Sequence, residues 1–188
     1  MTSTGQGADR RDSDRVVCVL GANDAEEGGE LYELARATGA ALAELGYVVA
    51  NGGYGGTMEA SAAGAKQAGG RTIGVTCSLW RSRPNRHIDR LIVTDSLPAR
   101  LAKLLEVGDA GYVVLPGATG TLVELATAWE MMSKGLLARR PLVCMGHFWR
   151  PVIELMISQR PGCGELVAVA DSPRELARSF PPVRRGGG

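Results

Sequence analysis

At 188 residues the chain fits one domain, since domains typically run to roughly 100–200 residues. Lys plus Arg number 21 against 20 Asp plus Glu, a net charge of +1, which gives no basic footprint for nucleic acid. Hydrophobic residues make up 45% and aromatics 5%, so the core is built from Val, Leu, Ala and Met, and four scattered cysteines without a CxxC pair (Cys18, Cys77, Cys144, Cys163) exclude a disulfide framework or zinc cluster.

Residues 1–14 are small and polar, without the apolar stretch of a signal peptide, and read as a disordered tail. No run reaches the ~18 apolar residues of a membrane span. A cytoplasmic protein without membrane contact is expected. Val16 to Leu20 is a continuous apolar run ended by Gly21, the pattern of a strand buried on both faces. Leu31, Leu34, Ala35, Leu42 and Leu45 recur at helical spacing until Gly46. Tyr47 to Ala50 predicts a second strand, followed by the loop Asn51-Gly52-Gly53-Tyr54-Gly55-Gly56 and an alanine-rich helix over 57–68. Arg71 to Thr76 predicts a third strand, and the basic stretch Arg81-Ser82-Arg83-Pro84-Asn85-Arg86-His87 follows it. Further on come a short strand at 91–93, a helix over 97–107, a strand at 111–115 and the loop Pro116-Gly117-Ala118-Thr119-Gly120. A helix from Thr121 to Lys134, a strand at 141–145, a helix near 152–158, a strand at 166–170 and a last helix from Pro173 complete the order.

Strands alternating with helices imply βαβ units with right-handed crossovers. The expectation is one Rossmann-like domain over 15–180: a doubly wound, mostly parallel α/β sheet with helices on both faces. Residues 181–188, ending Arg184-Arg185-Gly186-Gly187-Gly188, read as a flexible tail.

Ligands of such folds collect beyond the carboxyl ends of the strands, where both glycine clusters fall. Each opens a helix, so backbone N–H groups and the positive helix end point at one place, an anion site. The first loop lacks GK[ST], against a P-loop NTPase. The strand ending Gly74-Val75-Thr76-Cys77 offers no carboxylate for a dinucleotide ribose, against NAD. A mononucleotide fits, with no cofactor and no metal.

At these loops the chain resembles the LOG family, cytokinin riboside 5′-monophosphate phosphoribohydrolases often mislabelled lysine decarboxylases. The family's GGGxxGLMG corresponds to Asn51-Gly52-Gly53-Tyr54-Gly55-Gly56-Thr57-Met58-Glu59, and its PGGxGTxxE to Pro116-Gly117-Ala118-Thr119-Gly120-Thr121-Leu122-Val123-Glu124. The family's helical arginine matches Arg100, ahead of Asp109-Ala110. The resemblance runs from about Val16 to Leu155. It implies hydrolysis of the N-glycosidic bond of a nucleoside 5′-monophosphate, AMP or a cytokinin nucleotide. It makes Arg100 and Glu124 the catalytic pair. It also implies nucleotide binding by Gly21, Gly52, Gly53, Gly55, Gly56, Thr57, Met58, Pro116, Gly117, Thr119, Gly120 and Thr121, and a homodimer. Three departures bear on the substrate: Ala118 for the second glycine of PGG, Gly21-Ala22-Asn23 for Gly-Ser-Ser, and Arg100-Leu101 for the Arg-Lys pair of cytokinin-activating members.

Other readings stand beside these. Thr121-x-x-Glu124 is also a capping box, as is Ser172-Pro173-Arg174-Glu175. Arg81, Arg83, Arg86 and Arg90 read as a solvated loop that has base or phosphate within reach. His147-Phe148-Trp149 follows a strand end, and Trp129 with Met131 and Met132 reads as helix packing at a subunit interface. Asn51 to Gly56 resembles the loop of molybdenum-cofactor carriers too, which makes a non-catalytic carrier the competing function. Lysine decarboxylase is disfavoured because Lys66, Lys103 and Lys134 fall in helical stretches.

Overall fold

The computed structural model describes residues 15–183, so the tail expected over 1–14 and positions 184–188 lie outside the described residues. Seven strands form the sheet: β1 (Val16–Leu20), β2 (Val48–Asn51), β3 (Thr72–Cys77), β4 (Arg90–Thr94), β5 (Gly111–Val114), β6 (Leu142–Met145) and β7 (Ala168–Ala170). Their order is β4-β3-β2-β1-β5-β6-β7 and every pairing is parallel. The helices are α1 (Glu30–Glu44), α2 (Thr57–Gln67), α3 (Leu97–Val107), α4 (Thr119–Ser133) and α5 (Arg150–Gln159). The doubly wound α/β expectation is borne out.

Alternation along β1 divides the core, because successive strand side chains point to opposite faces. Val16, Cys18 and Leu20 join Leu104, Leu125 and Trp129 under α3 and α4. Val17 and Val19 join Ala35, Leu42 and Ala60 under α1 and α2. The strand order reverses between β1 and β5, where the chain winds away in both directions, and a crevice opens beyond their carboxyl ends.

Three expectations need correction. Residues 161–166 form a 3-10 segment, so the last strand starts at Ala168, and the expected final helix is a second 3-10 segment over Pro173–Arg178. Pro161, Gly162 and Gly164 leave little helical propensity there, and i→i+3 bonds such as Cys163 N–H to Arg160 O replace the α ladder. Second, α4 begins at Thr119, two residues before the expected start. Third, Trp129 and Met132 do not form a subunit face. They are buried in the core, and the Trp129 indole N–H donates to Cys163 O at 2.9 Å. Of the expected tail, residues 181–183 are tied down: Tyr47 Oη donates to Pro181 O and Val183 N–H to Leu45 O. Among the described residues no helix is long and apolar enough to cross a membrane.

Candidate functional site

The cleft is made by five chain segments meeting above the carboxyl ends of β1 to β5. Each follows a strand, which fixes its root. At the end of β2, Asn51 is fully buried and clamps its own loop: its amide nitrogen donates to Met58 O at 2.8 Å and its amide oxygen accepts from Gly53 N–H at 2.8 Å. Gly56 has φ +63, and a Cβ there would lie 2.6 Å from Asn23 O, so only glycine lets this loop meet the one after β1. Thr57 N–H and Oγ1 then both donate to Ala22 O, at 2.9 and 2.8 Å. The two loops are thereby one unit.

Arg100, the fourth residue of α3, runs across the cleft floor and is nearly buried. Nε donates to Val75 O at 2.9 Å and Nη2 to Gly52 O at 3.3 Å. The guanidinium carbon lies 5.7 Å from the Tyr54 ring centroid and 5.3 Å from that of Trp80, within cation–π range. A Cβ on Gly52 would overlap Arg100 Nη2, which gives that glycine its purpose: it leaves room for the guanidinium. Gly52→Ala is therefore expected to displace Arg100 and destabilise the fold by about 1–3 kcal/mol, the usual cost of overpacking. Denaturant unfolding checks it, and unchanged stability would mean that Arg100 has slack.

Glu124 faces Arg100, with Oε1 3.6 Å from Nη1. It is the sixth residue of α4, whose N-cap is Ala118, with no side-chain cap hydrogen bond. The capping-box reading is thus overturned. Because the helix starts at Thr119, Glu124 sits on its second turn and points inward instead of back at the helix start. Burial pushes its carboxyl up to about 7, against the downward pull of Arg100. Cys18 lies beneath both on β1, its thiol also pushed up, first by burial and then by Glu124.

A cleft of about 880 Å³ opens above this pair. Gly21, Gly52, Gly55, Met58, Gly120, Thr121, Arg100 and Glu124 line it, with the family departures Ala22, Asn23 and Ala118. Ala118 has φ −89, so the extra methyl meets no backbone penalty. Gly53, Gly56, Thr57, Pro116, Gly117, Thr119 and Leu101 are not part of its wall. Gly117 packs under Thr121 and Gly53 against Gly74. The first N–H groups of α4, from Thr119 to Thr121, have no partner within the helix and are available to an anion at the rim.

Tyr54, Leu79, Trp80 and Asp24 also line the cleft, and sequence reading did not single them out. The available signal was position, since each lies just past the end of a strand. Arg81 and Arg83 of the basic stretch reach the wall, whereas Arg86 and Arg90 do not. His147, Phe148 and Trp149 are absent from it too; Trp149 is buried and donates to Leu115 O.

The model of the SLOG cluster4 family matches residues 14–158. The chain belongs to this family. It is 39% identical over 166 residues to a Mycobacterium tuberculosis protein named cytokinin riboside 5′-monophosphate phosphoribohydrolase, covering 81% of this chain and 87% of the relative. The resemblance to LOG proteins is borne out. Among solved structures of similar fold are the molybdenum cofactor binding protein of Rippkaea orientalis (TM-score 0.70, 26% identity) and the molybdenum cofactor carrier protein of Chlamydomonas reinhardtii (TM-score 0.68, 25% identity). Each comparison covers 88% of this SLOG chain and 94% of the other.

Proposed function

We propose that the protein hydrolyses the N-glycosidic bond of a nucleoside 5′-monophosphate, AMP or a cytokinin-like nucleotide, to a free base and ribose 5-phosphate. The observation that carries this reading is the buried Arg100–Glu124 pair on the floor of a cleft bordered by two glycine loops. The phosphate sits on the N–H groups at the start of α4, which places the ribose over Glu124 one turn further along. Water attacks C1′ while the base leaves with the electrons of the C–N bond and takes up a proton from solvent, which balances the proton that the water gives up. The Glu124 carboxylate stabilises the positive charge growing on the ribose and takes the proton of the water. A carboxyl near 7 suits a base working at neutral pH. Arg100 spends donors on Val75 O and Gly52 O and keeps Nη1 for Glu124 or a substrate oxygen. The name of the Mycobacterium tuberculosis relative supports the reaction class.

Incubation with AMP and other 5′-monophosphates is expected to release free base, detectable by chromatography. AMP should bind far more tightly than adenosine, because the helix start recognises the phosphate. Equal affinities by calorimetry would remove the phosphate site. The second reading, a non-catalytic carrier, is favoured by the likeness to the molybdenum-cofactor proteins. Tight nucleotide binding with no hydrolysis of any monophosphate would select it.

The protein is also proposed to act as a homodimer, by likeness to the LOG family. With Trp129 and Met132 in the core, its face comes from other residues. Light scattering at micromolar concentration should give twice the chain mass, and a monomer would discard the proposal.

A further inference from the structure

Glu124 sits one turn from the start of α4, and Arg100, which it faces, packs on an aromatic corner. That corner is Tyr54 and Trp80, their ring centroids 5.7 Å apart and their planes at 75°. Tyr54 is fixed at its tip, since its hydroxyl accepts from Cys77 N–H at 2.9 Å and lies 3.1 Å from Cys77 O. Trp80 follows β3 in the connection to β4, with its backbone N–H on Cys77 O. Although it packs beside Arg100 and Tyr54, it remains 42% exposed and forms part of the cleft wall.

Part of the Trp80 indole is thus left open on the cleft wall, where the flat face of a ligand can cover it. The contacts thus run from helix start to carboxylate, from carboxylate to guanidinium and from guanidinium to indole. A nucleotide has the matching order of phosphate, ribose and base. We infer that Trp80 is the base-recognition residue, its open indole surface stacking on the nucleobase while Tyr54 and Arg100 hold the ring in place. The inference rests on the nucleotide reading of the cleft and names its substrate class. Recognition by stacking reads flatness and π-surface rather than a donor and acceptor pattern, so several planar bases are accepted and a puckered one is not.

The chain has three tryptophans, and the other two, Trp129 and Trp149, are 7% and 3% exposed. Ligand-dependent quenching of tryptophan fluorescence therefore reports on Trp80 in the intact wild-type protein. AMP and UMP should quench it. Ribose 5-phosphate and 5,6-dihydrouridine 5′-monophosphate, which lack a planar base, should leave it nearly unchanged. Trp80→Ala should weaken AMP binding roughly tenfold to a hundredfold, the range of one base–aromatic stack, and leave ribose 5-phosphate affinity as in the wild type. Trp80→Phe should restore most of the AMP affinity without the fluorescence signal. Equal loss of AMP and ribose 5-phosphate affinity in Trp80→Ala would show a prop for Arg100 and overturn the inference. So would equal binding of UMP and its dihydro analogue, or no binding of AMP at all. Binding is read without turnover. AMP that quenches but is not hydrolysed thus counts against the hydrolase, whereas hydrolysis with an unaltered KM in Trp80→Ala counts against the stack.

Discussion

Glu124→Gln is expected to fold, to bind AMP and to lose at least about a hundredfold in turnover, since general acid–base help is worth ~10²–10⁴ in rate. Gln keeps the shape of the side chain but carries no charge and cannot take the proton of a water. The cap that would have made this substitution trivial is absent, because α4 starts at Thr119 and Glu124 faces Arg100. Steady-state kinetics decide it, and wild-type turnover by the Gln variant would strip Glu124 of its part in the chemistry. The wild-type rate should rise as pH passes through about 7, where the buried carboxyl ionises.

Stability carries the opposite sign. The folded carboxyl titrates above its ordinary value of 4.5, so the native state holds a proton that the unfolded chain has released. Wild-type stability should therefore fall between about pH 5 and about pH 8 relative to Glu124→Gln, by at most roughly 3 kcal/mol. Below about pH 7 Glu124 is protonated and as neutral as Gln, so the substitution removes a charge opposite Arg100 only above that pH. The difference in slope is thus the readout, and parallel stability curves would mean that Glu124 titrates normally.

The sheet and both glycine loops were legible in the sequence because their signals are local. Val16 to Leu20 is buried on both faces and had to be apolar throughout, and glycines after a strand announce a tight turn. The pairing of Arg100 with Glu124 came from the family resemblance, and the structure brings the two side chains together. What stayed hidden depends on contacts distant in sequence. Nothing near Trp129 says whether the chain itself or a second copy covers the indole, and it is the segment at Cys163 that does. Asn51 stands where the family has glycine, and its clamp on Gly53 and Met58 exists only once the loop has closed. Trp80 reaches the cleft through an irregular connection, where periodicity carries no information.

Arg100→Ala should damage stability and chemistry together. Removing the guanidinium leaves Val75 O and Gly52 O without their buried donors and Glu124 without its counter-charge. Breaking a buried pair from one side costs about 3–5 kcal/mol, far more than the pair itself contributes. Some of this is evaded, because Glu124 can take up a proton once the pull of Arg100 is gone. Its carboxyl then rises further, and the rate limb near neutrality should move to higher pH. Arg100→Lys separates the two effects. Lysine keeps a positive charge near Glu124 but cannot span Val75 O and Gly52 O as the planar fork does. It should retain part of the stability and a near-normal pH limb, with AMP held more weakly. Denaturant melts, AMP and ribose 5-phosphate titrations and a pH–rate profile on both variants supply the measurements. If Arg100→Ala kept wild-type stability and AMP affinity, Arg100 would be a bystander, and the anion would be held by the start of α4 alone.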